Sequence, residues 1–356
     1  MKNKKLAIVA VGGNSLVKDE KRKSSRHQYM IVKETAHHIA DMIEAGWDMA
    51  IGHGNGPQLG FALRRSEVAF RADGVPAVPM DICIALNQAE VGYALQQNLQ
   101  NELFKRGIKK QVATILAQML VDEDDHAYRL PPTKPVGSFM KEDEAKHLAG
   151  QWGWNVTEDA GRGWRRVVPS PFPKRILEIE TIRTLINAGV VTITTGGGGI
   201  PVIDEGDGQH KGIPGAVDKD YAASLLAQEL KADLFVVSTA VEKVAINFGR
   251  QNQKWFDKMT LSQAKKYLAE GVHFARGSMA PKVHAIVWYL ENGGKEAVIT
   301  NPENIGNALN RKTGTWFVHD GTQKFVVSAK VGAAKPKTKT TVNKNKKEAV
   351  PAKAEK

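Results

Sequence analysis

The chain has 356 residues, 42% of them hydrophobic, a net charge of +12 and a single cysteine, Cys83. That is ample for a large core, as one big α/β domain or two lobes. It excludes an intramolecular disulfide, which fits a reducing, cytoplasmic compartment. No apolar run approaches the roughly 20 residues of a membrane-spanning helix, so no membrane partner is expected.

Met1-Lys2-Asn3-Lys4-Lys5 followed by Leu6 to Val11 imitates the charged and apolar parts of a secretion signal. The apolar stretch is short and runs into Gly12-Gly13-Asn14 rather than a small-residue cleavage site, so a buried first strand is expected. Residues 30–45 then read as a helix ending near Gly46, and residues 47–51 as a strand. A long helical pattern over 85–105 ends at Gly107, and 111–116 reads as a strand. The segment from about 122 to 168 breaks this rhythm with Pro, Gly, Trp and charge. It reads as an inserted subdomain or lid, because loops this long inside compact domains are often functional. Beyond it, helices are expected at 174–188, 222–230, 261–270 and 282–292, and strands at 190–194, 234–238 and 297–300. The alternation predicts an α/β fold with a mainly parallel open sheet covered by helices on both faces, a three-layer αβα sandwich.

The charge is uneven. Residues 330–356 hold nine lysines and two glutamates, which is +7 and leaves about +5 for the rest. The tail from 331 to 356 has no aromatic residue and is expected to be disordered. It is a solvated extension or an electrostatic tether to nucleic acid or another acidic surface.

Three apolar runs feed directly into glycine turns: Gly12-Gly13-Asn14, Gly54-Asn55-Gly56-Pro57, and Gly196-Gly197-Gly198-Gly199. A glycine turn at a strand end lets backbone N–H groups approach an anion with no Cβ in the way. In open α/β sheets, ligands sit outside the carboxyl ends of the strands. The Rossmann and P-loop glycine spacings are both missing. Pro57 is placed to start a helix, and His53 reads as a turn residue rather than an acid or base. Asp218-Lys219-Asp220 sets a lysine between two carboxylates just before a helix; read alone it is either a phosphoryl-binding element or an ordinary charged helix start. Lys282 opens another helix, and Lys134 lies in the insert. Phosphoryl transfer needs mostly positioning and charge neutralisation, so several lysines, Mg²⁺ and backbone amides suffice without a nucleophilic side chain.

From about Leu6 to Val318 the chain resembles carbamate kinases of the amino-acid kinase family. The likeness rests on the first two glycine turns, Pro132-Thr133-Lys134-Pro135, the run from Gly163 to Pro171, and Gly196 to Pro201. Asp218-Lys219-Asp220, Asn247-Phe248-Gly249 and Gly277-Ser278-Met279 with Pro281-Lys282 complete it. The resemblance implies an amino-acid kinase-like domain over 1–330, with a carbamate lobe at about 1–190, the lid at about 122–168 and a nucleotide lobe at about 191–330. It implies a homodimer, ATP or ADP and carbamate or carbamoyl phosphate as substrates, and Mg²⁺ held mainly by the nucleotide rather than by protein ligands. By the same likeness Lys134, Lys219, Lys282 and Asp218 would be catalytic, with Asp218 orienting the lysines or helping to hold Mg²⁺. Gly12, Gly13 and Asn14 would line the phosphoryl path, and Gly54, Asn55 and Gly56 would hold carbamate. Thr239, Ala240, Val241, Met279 and Lys282 would lie along the nucleotide. Ala10 stands where many amino-acid kinases carry a lysine, a charge that Lys134 would supply; this favours carbamate over another small acid as acceptor. Departures from the family pattern are Pro131, Pro214 in the approach to Asp218, Ala245 and Arg276, which bear on nucleotide affinity and turnover.

Overall fold

The first strand, Leu6–Val11, is the hub of the main sheet. The structure, a computed structural model, describes residues 5–13, 24–159, 161–275 and 277–322; Asn14, Arg276 and the tail 331–356 lie outside them. Leu6–Val11 pairs in parallel with Asp48–His53 on one side and Leu234–Ser238 on the other. Val191–Ile193 and then Val112–Thr114 continue the first side in parallel. Glu296–Thr300 continues the other, also in parallel, followed by Thr315–Val318 running antiparallel and Lys258–Thr260 at the edge.

Side chains alternate across a strand, and the hub strand shows the consequence. Ala7, Val9 and Val11 pack with Val32, Ile39, Leu95 and Leu99 of the helices Ser25–Glu44 and Met80–Lys105. Ile8 and Ala10 face the other way, toward Ala222, Leu226 and Ile286 of the helices Lys219–Glu229 and Met279–Glu291. Two apolar layers, one on each face, make the three-layer α/β sandwich.

Several elements differ from expectation. The helix expected at 174–188 is split. Arg175–Ile176 pairs antiparallel with the strand Gln118–Leu120, and only Ile179–Asn187 is helical. The strand expected at 111–116 stops at Thr114 because the chain next supplies Gln118–Leu120 to a second, four-stranded sheet. The first helix starts at Ser25, where the Ser24 hydroxyl accepts from the His27 N–H at 3.4 Å and caps it. A further helix, Gln58–Asp73, follows the second glycine turn directly.

Residues 134–168 form a separate small layer. Lys134–Met140, Trp164–Val168 and Asn155–Glu158 make a three-stranded antiparallel sheet with Trp164–Val168 in the centre, beside the helix Glu142–Trp152. At its root, Val136 and Val168 pack with Leu59 and Leu63 of the helix Gln58–Asp73 and with the buried Cys83. Among the described residues, no helix is long and apolar enough to cross a membrane.

Candidate active site

Register places the glycine turns together. Val11 lies opposite both His53 and Ser238, so Gly12, Gly54 and Thr239 leave the sheet at one edge, side by side. Ile193 pairs with Ile51, which brings the turn after Thr194 to the same edge. Connections depart to opposite sides of the hub strand here, and such a switch point opens a crevice at the carboxyl ends of the strands.

The backbone at this edge is close-packed, and that is where glycine is required. A Cβ on Gly12 would lie 2.8 Å from the Ser238 carbonyl oxygen, and one on Gly54 would lie 3.0 Å from Cδ of Lys219. Gly197, Gly198 and Gly199 have φ of 67°, 100° and 88°, which side-chain-bearing residues rarely adopt. A Cβ on Gly198 would be 2.1 Å from the Val217 carbonyl oxygen. This approach to Asp218 is also tied down through Ala216, whose N–H donates to the Pro169 carbonyl at 2.8 Å.

A cleft of about 330 Å³ opens over these turns. Gly13, Gly54, Asn55 and Gly56 form one wall; Lys134, Asp218, Lys219 and Lys282 line the others. Gly12 stands just behind the wall, packed on the next strand. Asn55 is held at both ends of its amide. It donates to the Gly197 carbonyl at 3.1 Å and accepts from the buried Asn87 at 2.7 Å, so its side chain fixes one glycine turn against another. Thr239, Ala240, Val241 and Met279 lie outside this lining. The Thr239 N–H donates to the Thr300 carbonyl at 2.9 Å, and Met279 begins the helix that carries Lys282.

The charged groups form two linked units. Asp220 is 2% exposed. One of its oxygens lies 2.5 Å from the Lys219 ammonium and the other 2.9 Å from that of Lys282. Asp218 is the N-cap of the helix Lys219–Glu229. One of its oxygens accepts from the Asp220 N–H at 2.9 Å and the other from the Lys134 ammonium. Thus Asp218 orients the lid's lysine, while Asp220 orients the other two. Burial opposes ionisation of Asp220, but Lys219 and Lys282 outweigh it and hold the carboxyl well below the usual range. Asp218 is likewise held down, burial being outweighed by Lys134. Burial pulls Lys219 below the usual lysine range despite Asp220; for Lys282, Asp220 overcomes burial and raises it.

Three further residues of the cleft, Arg162, Arg165 and Phe139, all from the lid, had no role expected from the sequence. Both guanidinium groups lie over the Phe139 ring, at 4.8 and 5.1 Å from its centre. Both also pair with Asp159, at 3.1 and 3.0 Å. Arg165 belongs to the Gly163 to Pro171 run; Arg162 carries no sequence signal. His53 is buried at the end of its strand, with Nδ1 donating to the Gly54 carbonyl at 2.9 Å, and burial pulls it down to about 4. Among the described residues, no three His, Cys, Asp or Glu side chains gather as a metal-binding group.

Comparison with known proteins identifies the family. The model of the amino acid kinase family matches residues 5–301. The carbamate kinase of Thermococcus kodakarensis is 45% identical over 89% of this chain and 100% of its own length. The carbamate kinase of Giardia lamblia bound to citric acid superposes with a TM-score of 0.84 at 36% identity, covering 90% of this chain and all of that one. The same enzyme bound to AMP-PNP gives a TM-score of 0.80 with the same identity and coverage. The chain belongs to the amino acid kinase family and is a phosphotransferase.

Proposed function

We propose that the protein is a carbamate kinase, moving a phosphoryl group reversibly between MgATP and carbamate. The observation that carries this reading is the convergence of Lys134, Lys219 and Lys282 on one cleft, fixed by two carboxylates, over two glycine turns. In the ATP-forming direction, a β-phosphate oxygen of ADP attacks the phosphorus of carbamoyl phosphate. The bond from phosphorus to the carbamate oxygen breaks, and carbamate leaves as an anion. No proton need be removed from either oxygen, so fixed positive charge is what the site must supply. Lys219 and Lys282 neutralise the group in flight. Lys134 reaches it from the lid, and the role of lining the phosphoryl path falls to Gly12, Gly13 and Asn14. Gly54, Asn55 and Gly56 hold the carbamate end.

The nucleotide lies along Thr239, Ala240, Val241 and Met279. This placement is supported by Thr239 leaving the sheet beside Gly12, by Met279 opening the helix that carries Lys282, and by the AMP-PNP-bound relative. Asp218 and Asp220 are committed to three ammonium groups, which supports Mg²⁺ arriving as the nucleotide complex rather than on a protein site. The reading extends to two lobes, at about 1–190 and 191–330, and to a cytoplasmic homodimer that works toward ATP in a fermentative pathway. For the dimer there is a specific support. Ile82, Leu86, Tyr93 and Phe104 are exposed on the helix Met80–Lys105. At 3.6 residues per turn they fall within about 40° of one another, a single apolar stripe.

A panel of acceptors tests the reading. With MgATP, carbamate is expected to be phosphorylated far faster than N-acetylglutamate or aspartate, and omission of Mg²⁺ to abolish the reaction. A preference for either amino acid would overturn it.

A further inference from the structure

The lid meets the body of the protein through several polar contacts, and they differ in burial. Arg64 and Glu144 are 3.6 Å apart, with each side chain about half exposed, and Arg71 donates to the Gln151 carbonyl at the surface. Exposed contacts of this kind hold little. Glu67 is different. It sits on the helix Gln58–Asp73, whose first turn follows the Gly54-Asn55-Gly56 loop. Its carboxylate accepts from the lid's Arg166 at 2.9 Å and from the lid's Trp154 indole N–H, 3.1 Å from each oxygen. Arg166 also lies over the Trp154 ring, 4.8 Å from its centre. The side chains of Glu67 and Arg166 are 25% and 21% exposed, so the pair is shielded from water far better than its neighbours along the seam.

Arg166 is on the central strand of the lid sheet, and its register carries the consequence. It pairs with Val136, two residues from Lys134, and Lys134 pairs with Val168 on the same ladder. Arg165, next in the strand, points to the opposite face, where its guanidinium lines the cleft and donates to the Gly137 carbonyl at 3.1 Å. One strand therefore presents Arg166 to the body and Arg165 to the cleft. Beside the pair, a small cavity of about 50 Å³ lined by Gly60, Gly137, Met140 and Trp154 lies in the seam. The root of the lid is fixed by apolar packing, and at Gly60 the two parts touch so closely that a Cβ would lie 2.0 Å from the Gly137 Cα, while the cavity leaves a gap beside that contact.

We propose that Glu67 is a positioning residue for phosphoryl transfer: through Arg166 and Trp154 it latches the lid so that Lys134 and Arg165 stand at the cleft. This rests on reading the cleft as the phosphoryl-transfer site. It makes the helix that begins at the acceptor loop the same helix that sets the lid.

The test is a double-mutant cycle of Glu67→Gln and Arg166→Met in the full-length protein, read in two ways. Hydrogen exchange of peptides from 134–168 reports the lid, with the hub-sheet strand 234–238 as internal reference for an intact fold. ATP formation from carbamoyl phosphate and MgADP reports the reaction. E67Q is expected to speed exchange in the lid and leave the reference strand unchanged. A misplacement of about 1 Å costs up to about 100-fold in rate, so kcat is expected to fall about 10- to 100-fold with KM for ADP unchanged. Because the two residues act as one latch, the double variant is expected to lose no more than the worse single one. Lid exchange and kcat that ignore E67Q, or losses that add across the cycle, overturn the latch. A wild-type protein without phosphoryl transfer overturns the functional reading instead, and lid exchange still decides the latch.

Discussion

Replacing Asp220 by Asn removes one negative charge from between two ammonium groups and changes almost nothing in shape. The carboxylate is 2% exposed and lies 2.5 Å from Lys219 and 2.9 Å from Lys282. At an effective dielectric of about 20, each contact is worth about 6 kcal/mol before desolvation is subtracted. Breaking a buried pair by removing one partner costs about 3–5 kcal/mol net, and that is the loss of stability expected at pH 7. The sign with pH follows from the direction of the shift. Asp220 titrates below its usual range in the folded protein, so its contribution is complete above that range and is lost as pH falls through the depressed value. The gap between wild type and variant is therefore expected to be level through neutral pH and to close only in acid. Activity is expected to fall by up to about 100-fold, because Lys219 and Lys282 lose the group that positions them at the cleft. Urea unfolding by far-UV circular dichroism at several pH values, with a coupled assay for ATP, measures both. An Asn variant within about 1 kcal/mol of wild-type stability and within about threefold of its rate would refute the assignment of Asp220 as the clamp.

Two further predictions concern the glycine turns. His53 titrates at about 4 when folded, against an ordinary 6.5, so the unfolded chain takes up its proton first as pH falls. Stability is therefore lost between about pH 6.5 and 4, by about 3 kcal/mol from this residue. His53→Gln should remove that portion of the slope in pH-dependent urea unfolding; an unchanged slope would count against a neutral, buried imidazole. Gly54→Ala places a Cβ 3.0 Å from Cδ of Lys219. It is expected to lower kcat by about tenfold or more through displacement of that lysine, with a stability change under about 2 kcal/mol. Full activity in that variant would show that the lysine has room to yield.

Six of the eight strands of the main sheet were legible because they are apolar runs set between helical patterns and glycine turns; the two at one edge, Thr315–Val318 and Lys258–Thr260, went unread. The smaller sheets were not legible. Gln118–Leu120 and Arg175–Ile176 are two or three residues long, and their partners are distant in sequence. The lysines were visible as residues, but only register and folding show which carboxylate serves which lysine. Asp218 and Asp220 flank Lys219 symmetrically in sequence. The helix start then turns Asp218 toward its own backbone and the lid, and buries Asp220 between Lys219 and Lys282. Arg162 and Glu67 escaped notice, and Arg165 was seen only as part of a family-like run, because charged residues on loops, small sheets and helices usually face water. His53 looked like a turn residue, yet strand pairing carries it into the core.

The central claim is that the three lysines serve transfer between carbamoyl phosphate and ADP. The most direct measurement is ATP formation from carbamoyl phosphate and MgADP by the wild-type protein and by Lys219→Ala and Lys282→Ala. Rapid ATP formation by the wild type, with both variants folded and reduced by about 10³-fold or more, is the predicted result. No ATP from the wild type, or near-wild-type rates in both variants, would contradict the account.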